Sequence, residues 1–249
     1  MKIKKIEKQK SSNKYKIIFE DGTFINTYDN VILNNNLLFD KDIDDELIEK
    51  INKENSYYEI YNKTIKFIQK RLRSEKEVDE YIGDYKYKKR IIEDLKKIKL
   101  INDTSYIKAY ISDRIYLNLE GPNKIKKDLL NQNIEELEID KYIGQIDENI
   151  ILENLNKLIS KRIKSNTRYS NYILIQKIKD EMLKKGYCLE MISSILENVK
   201  ITDKSIIEKE YKKLYDKLSK KYCDKELELK IRQKLYQKGF KLDDIDNIL

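Results

Sequence analysis

Apolar residues recur at helical spacing through most of the chain, from about residue 55 to its end. Leu227, Ile231 and Leu235, for example, lie four residues apart. This spacing places an apolar stripe along one side of a helix, where it can pack against neighbouring helices. The pattern predicts that this part of the protein is helical.

The first 53 residues follow a different pattern. A β-branched and aromatic stretch, 15–19, is followed by Asp21-Gly22 and then by a second such stretch, 24–27. Asp-Gly between two apolar stretches is a strong hairpin signal, because glycine readily adopts a positive φ. After Asp29 the pattern becomes helical. We therefore predict a small domain over 1–53 with a β-hairpin and short helices.

The helical part repeats itself. Residues 178–196 and 231–249 align 53 positions apart, with Gly186 and Gly239 in register and an aromatic residue after each glycine. One more step of 53 leads to residues 125–143, where Asn133 takes the place of the glycine. Asparagine is the other residue that tolerates a left-handed helix cap. A fainter copy begins at Val78. A period near 50 is typical of stacked helical repeats.

Each repeat is predicted to contain three helices, the second of which ends at the Gly or Asn. First helices are expected over 57–72, 104–118, 149–164 and 204–221. Second helices are expected to begin near Ser74, Gly121-Pro122, Tyr169-Ser170 and Asp224, where Ser, Asp and Pro suit the first helical turn. The predicted fold is mainly α, with tandem three-helix repeats stacked into an elongated curved array. The predicted domains are 1–53, 54–102, 103–146, 147–200 and 201–249.

Composition narrows the possible functions. The 249 residues include one proline, six glycines and no histidine. Without histidine, His-based hydrolytic triads and zinc sites are excluded. Phosphate-binding glycine loops and the GxSxG elbow do not occur, and carboxylates at helix starts are typical caps. We expect no enzyme activity, no metal and no cofactor.

Cysteine usage and hydropathy point to a cellular location. The two cysteines, Cys188 and Cys223, form no CxxC pair and no disulfide framework, which indicates a reducing compartment. The charged start does not resemble a secretory signal, and no apolar stretch approaches the ~20 residues of a membrane span. We expect a cytoplasmic monomer that does not contact a membrane.

Charge is distributed unevenly. The net charge is +8, and the basic excess lies in 51–105 and in 156–249, separated by a stretch with more carboxylates than basic groups. Such clustering favours binding to a polyanion or to an acidic protein surface. A solvated Lys/Glu helix surface remains the alternative.

Two groups of basic residues are the candidate contacts. Both lie toward the end of the first helix of a repeat, and the second extends onto the following helix. Basic residues at a helix C-terminus also interact favourably with the helix dipole, so a purely local role stays open. The candidates are Lys70, Arg71 and Arg73 in the first group, and Lys157, Lys161, Arg162, Lys164, Arg168 and Lys177 in the second.

Three motifs resemble the RecX family of regulatory proteins, which modulate the RecA recombinase. Residues 68–82 (IQKRLRSEKEVDEYI) are similar to the family's L-x-x-R-x-R-S-x-x-E-(L/V)-x-x-Y-L. Residues 100–111 (LINDTSYIKAYI) and 121–129 (GPNKIKKDL) resemble the two motifs that follow it. Asn133 departs from the family's usual glycine. The resemblance runs from about Asn55 to the end, and the first domain resembles the extension of longer members.

The resemblance implies a non-enzymatic regulator that binds in the groove of the RecA filament on single-stranded DNA and bridges its protomers. Such binding would block filament extension and suppress recombinase, ATPase and coprotease activity. The expected partners are RecA and single-stranded DNA, with double-stranded DNA left open. Two alternatives also remain open at this stage, which are a module that binds DNA without RecA and a helical repeat that binds only protein.

Overall fold

A computed structural model describes residues 1–10, 13–37, 41–199 and 204–249. The predicted domain boundary between residues 200 and 201 lies outside these described residues. The chain forms two compact units, 1–106 and 107–249.

The first unit begins with an antiparallel sheet in the order β1-β2-β3, formed by Ile3–Lys8, Lys14–Phe19 and Phe24–Tyr28. Gly22 adopts a φ of 86° in the turn between β2 and β3, as the Asp-Gly signal predicted. One face of the sheet contributes buried residues such as Ile3, Ile17 and Phe19 to an apolar core. The predicted hairpin is therefore present as part of a three-stranded sheet.

Helices α1 (Asp29–Asn34) and α2 (Asp45–Ile68) follow the sheet. The Asp44 side chain caps α2 by accepting a hydrogen bond from the Leu47 N–H at 2.8 Å. The first half of α2 adds Ile51 to the core below the sheet, whereas its second half adds Tyr57 and Ile68 to a helical core. The boundary predicted at 53/54 thus lies inside a continuous helix.

The helical core of the first unit is completed by α3 (Glu75–Ile82) and α4 (Lys88–Lys97). Val78, Ile91 and Leu95 pack there without solvent exposure. The predicted first helix, 57–72, in fact starts earlier and ends earlier, at Asp45 and Ile68. Helix α5 (Asp103–Ser112) begins in this unit and continues into the second.

The second unit repeats the arrangement of a long helix, a second helix and a short third one. Helix α5 passes into a π-helical segment, Asp113–Leu117. The remaining helices of the described chain are α6 (Pro122–Leu130), α7 (Glu136–Ile143), α8 (Glu148–Lys164), α9 (Asn171–Lys184), α10 (Leu189–Asn198), α11 (Lys204–Leu218), α12 (Asp224–Gln237) and α13 (Leu242–Asp246).

The turn residues confirm the repeat. Asn133, Gly186 and Gly239 all have positive φ, of 58°, 89° and 78°. A left-handed residue at this point sets the direction of the third helix, and the three aligned copies have Gly or Asn there, the residues that adopt this conformation most easily. The predicted fold class, mainly α with three-helix repeats after a small β-containing region, is confirmed.

Neighbouring repeats of the second unit meet at the same turns. The Gly121 N–H donates to the Lys185 carbonyl at 2.7 Å. The two chain segments are so close that a Cβ on Gly186 would lie 2.3 Å from the backbone nitrogen of Lys124. One repeat further on, the Ser170 hydroxyl donates to the Lys238 carbonyl at 2.8 Å, beside Gly239. The left-handed turn of one repeat thus packs against the start of the second helix of the repeat before it.

Candidate functional site

The first basic surface consists of Lys70, Arg71 and Arg73, in the turn between α2 and α3. Lys70 is exposed, and the Arg71 guanidinium makes two hydrogen bonds to the Glu77 carboxylate, of 2.5 and 3.1 Å. Glu77 also accepts from the Ser74 N–H, while the Ser74 hydroxyl caps the Glu77 N–H. Arg71 is therefore held by the capping box that starts α3.

Arg73 is largely buried. Its side chain is 14% exposed, its guanidinium lies 3.9 Å from the centroid of the Phe67 ring, and a nitrogen lies 3.6 Å from Glu77. Burial raises the pKa of Glu77, but hydrogen bonds from Arg71 and Ser74 outweigh it and leave that pKa below its usual value. Glu77 is thus an internal anion for both arginines, and Lys70 is the candidate of this surface that points most freely to solvent.

The second basic surface consists of Lys157, Lys161, Arg162, Lys164, Arg168 and Lys177, at the corner between α8 and α9. Lys157, Lys161 and Lys164 are exposed and share a side of α8 by their spacing of four and three residues. Arg162 lies 3.3 Å from the Glu181 carboxylate on α9, and both side chains are partly exposed. A single surface ion pair of this kind contributes little to stability.

Arg168 and Lys177 lie near one tyrosine. The Arg168 guanidinium is 5.7 Å and the Lys177 ammonium 4.7 Å from the centroid of the Tyr169 ring. The Asn166 side chain holds this turn, since its oxygen accepts from the Tyr169 N–H at 3.0 Å and its nitrogen donates to the Tyr169 carbonyl at 2.8 Å. The structure thus brings the two charges, one from the loop and one from α9, to the same ring.

The internal charges of the second unit have structural partners. The Glu120 side chain is 8% exposed and lies 2.6 Å from Lys124 and 3.7 Å from Arg114. Burial raises the pKa of Tyr187 to about 12, and its hydroxyl donates to the Leu119 carbonyl at 3.0 Å. At neutral pH this tyrosine is a hydrogen-bond donor, not a base.

Sequence reasoning missed the aromatic groups beside the basic residues. Phe67 stacks on Tyr81 in the first unit, and Tyr169 lies near two cations in the second. A signal for the first was present, since Lys63, Phe67 and Lys70 follow a helical spacing of four and three residues. The contact with Tyr81, fourteen residues later on another helix, has no local signal.

The described ranges contain neither a cluster of metal-ligand side chains nor a helix suited to span a membrane. Among these residues, no three Cys, Asp or Glu side chains cluster as metal ligands would. None of the helices described above combines the length and the apolar character that a bilayer crossing requires.

Comparison with known proteins places this geometry in context. No family model matches the chain. The chain is 27% identical to the regulatory protein RecX of Oceanobacillus iheyensis, over 100% of the chain and 97% of the relative. It is 29% identical to RecX of Bacillus pumilus, over 99% of the chain and 97% of the relative. This similarity over the full length to several curated RecX proteins supports a RecX family protein.

Solved structures with this fold agree with the helical repeats. A crystal structure of a regulatory protein RecX matches with a TM-score of 0.68 and 22% identity, over 79% of this chain and 99% of the other. The crystal structure of RecX from Lactobacillus salivarius matches with a TM-score of 0.51 and 24% identity, over 56% of this chain and 94% of the other. At this identity the two structures show a shared fold.

The motif residues that resemble the RecX family have clear structural positions. Arg71, Ser74 and Glu77 form the capping box with its bound guanidinium, and Arg73 covers Phe67. Gly121 is the N-cap of α6, and Pro122 is its first residue. The family motifs therefore mark helix starts and the junction between repeats as much as they mark charge.

Proposed function

We propose that this RecX family protein binds the filament that RecA forms on single-stranded DNA and inhibits the recombinase, ATPase and coprotease activities of RecA. Membership in a family of regulatory proteins, over the full length of the chain, carries this proposal. In this proposal the protein acts in the cytoplasm, as a monomer, by binding and not by catalysis.

Exposed cations of the second basic surface support contact with a polyanion. Lys157, Lys161 and Lys164 extend from one side of α8, and α9 adds Lys177. Lysines on a helix can neutralise phosphates without adopting one fixed side-chain conformation. Contacts with the phosphate backbone supply most of the affinity of nucleic-acid binding. These residues are the proposed contacts of the second unit, and Lys70 is that of the first.

The decisive measurement is the DNA-dependent ATPase activity of RecA in the presence of increasing amounts of this protein. We expect inhibition that is complete near stoichiometric amounts. A double variant, Lys161→Glu with Lys164→Glu, should require more protein for the same inhibition. The matched control is Lys212→Glu with Lys217→Glu, which makes the same charge change on exposed positions of α11.

The same proteins also distinguish the two alternative functions, which are a module that binds DNA without RecA and a repeat that binds only protein. Equal affinity for naked single strands and for RecA filaments would favour a DNA-binding module that acts without RecA. Filament binding that is insensitive to salt and to the α8 double variant would favour a repeat that binds only protein. Absence of any effect on RecA at stoichiometric amounts would contradict the proposal.

A further inference from the structure

Three side chains of the first unit are stacked in layers. The Phe67 and Tyr81 rings are almost parallel, with an interplanar angle of 3° and centroids 4.0 Å apart. The Arg73 guanidinium carbon lies 3.9 Å from the centroid of Phe67. One face of the Phe67 ring has room for only one such neighbour at this distance. Arg73 and Tyr81 therefore cover opposite faces of Phe67.

The layers become more exposed from Arg73 outward. The Arg73 side chain is 14% exposed, Phe67 is half-buried, and Tyr81 is 45% exposed. Arg73 is further held near Glu77, which is itself bound by Arg71. Tyr81 is thus the outer layer of a stack whose inner layers are fixed. Because the Tyr81 ring is already held in place, binding a ligand costs little side-chain entropy there.

Positive charge surrounds the stack on the side of α2. Residues 63–73 contain five basic side chains and no carboxylate. Lys63 lies one helical turn before Phe67 on α2, Lys66 is exposed next to Phe67, and Lys70 follows in the turn after the helix. Three of the five charges have carboxylate partners within the protein, since Lys63 lies 2.9 Å from Glu59 while Arg71 and Arg73 both lie near Glu77. Lys66 and Lys70 extend the charge toward solvent.

We infer that Tyr81 is a stacking platform for one unpaired base of a single-stranded nucleic acid, with Lys66 and Lys70 placed to contact the phosphates beside that base. An exposed aromatic ring next to flexible cations is the arrangement by which proteins bind single strands without sequence preference. Arg73 is a positioning residue, because it supports Phe67 from behind and does not reach the ligand. The inference rests on the proposed function only in requiring single-stranded nucleic acid.

Two other ligands fit this surface less well. The bases of duplex DNA are already stacked on each other, so they offer no free face to Tyr81. An acidic peptide would use the lysines but would leave the aromatic stack without a role. The choice of probe in the test distinguishes both from a single strand.

Because the chain contains no tryptophan, Tyr81→Trp makes a protein with a single fluorescent indole at the platform. We expect its emission to be quenched on addition of a thymidine oligonucleotide, and to be unaffected by an abasic oligonucleotide of the same length. The control is Tyr116→Trp, which replaces a tyrosine that is 59% exposed in the other unit. Its emission should respond to neither probe.

Binding is measured in parallel from the anisotropy of a labelled oligonucleotide. We expect Tyr81→Ala to weaken binding about 5- to 150-fold, which corresponds to the loss of one stacked base, and Tyr81→Phe to bind like the original protein. Adding Arg73→Met to the Tyr81→Trp protein should reduce the amplitude of the quenching. Arg73→Lys in the same protein should restore part of it, since lysine retains a cation over Phe67.

The outcomes separate this inference from the proposed function. Unchanged indole emission from the Tyr81→Trp protein while anisotropy shows binding would overturn the platform and leave the proposed function standing. Quenching by the abasic strand as strong as that by thymidine would also overturn it, because no base would be involved. Complete lack of oligonucleotide binding would overturn the platform as well, whereas the RecA ATPase measurement decides the proposed function independently.

Discussion

The two basic surfaces look alike in the sequence but use their charges differently. In the first, Arg71 and Arg73 are turned toward Glu77, and Arg73 is covered by the protein. In the second, lysines on α8 point to solvent and the Arg162 pair with Glu181 lies at the surface. The comparison shows that basic residues near a helix end can be either parts of the fold or available contacts. Their neighbours decide which.

The largest expected effect tests the structural role of Arg73. Arg73→Ala should lower the free energy of unfolding by about 2 kcal/mol, because it removes packing on Phe67 and leaves Glu77 with one guanidinium fewer. Arg162→Ala, the matched change in the second surface, should cost less than about 1 kcal/mol. Chemical denaturation measures both. Equal losses would contradict the distinction between the two surfaces.

The next effect concerns binding by the second surface. Lys161→Glu with Lys164→Glu should weaken binding to single-stranded DNA by about 10-fold or more at low salt, because it removes two phosphate contacts and introduces repulsion. The slope of log affinity against log salt should become shallower by about 1.4, because each of the two lost phosphate contacts contributes about 0.7 to it. The measurement is a salt titration of both proteins, with the α11 double variant as control. An unchanged slope would show that these lysines do not contact phosphate.

A smaller effect concerns the pH dependence of the first surface. The pKa of Glu77 is lowered in the folded protein, so its ionised form stabilises the fold. This contribution is present above the unfolded pKa of about 4.3 and is lost as the pH falls through the lower folded value. Glu77→Gln should cost about 1 kcal/mol at neutral pH and lose less stability than the original protein on acidification below about pH 4. Parallel slopes from about pH 5 to about pH 3 would exclude this role.

The smallest expected effect is Lys157→Ala. Lys157 is exposed on α8, so we expect the free energy of unfolding to change by less than about 0.5 kcal/mol. If it contacts phosphate, affinity for single strands should still fall measurably. Measuring both the free energy of unfolding and the affinity for single strands therefore distinguishes a residue that binds from one that stabilises the fold. For Arg73→Ala, a loss of affinity alone would not make this distinction, because that change also destabilises the fold.

Much of the fold was predictable because its signals are local. The Asp21-Gly22 turn, the cap at Ser74 and the left-handed turn residues Asn133 and Gly186 each depend on a few neighbouring residues, whereas the Ser170 hydroxyl at the start of α9 donates to the distant Lys238 carbonyl instead of capping its helix. The continuity of α2 was not predictable, since its two halves serve different apolar cores and the pattern of each half reads as a separate segment. The domain boundaries predicted at 102/103 and 146/147 stay predictions.

The repeat, its turn residues and the places where basic residues gather can be recognised from the order of amino acids, because helical period, caps and left-handed turns are encoded within a few positions. Which of those charges are available for binding depends on contacts between distant parts of the chain. Whether an arginine meets a carboxylate, an aromatic ring or water depends on side chains brought together from other helices, as Tyr81 is brought to Phe67 and Glu181 to Arg162.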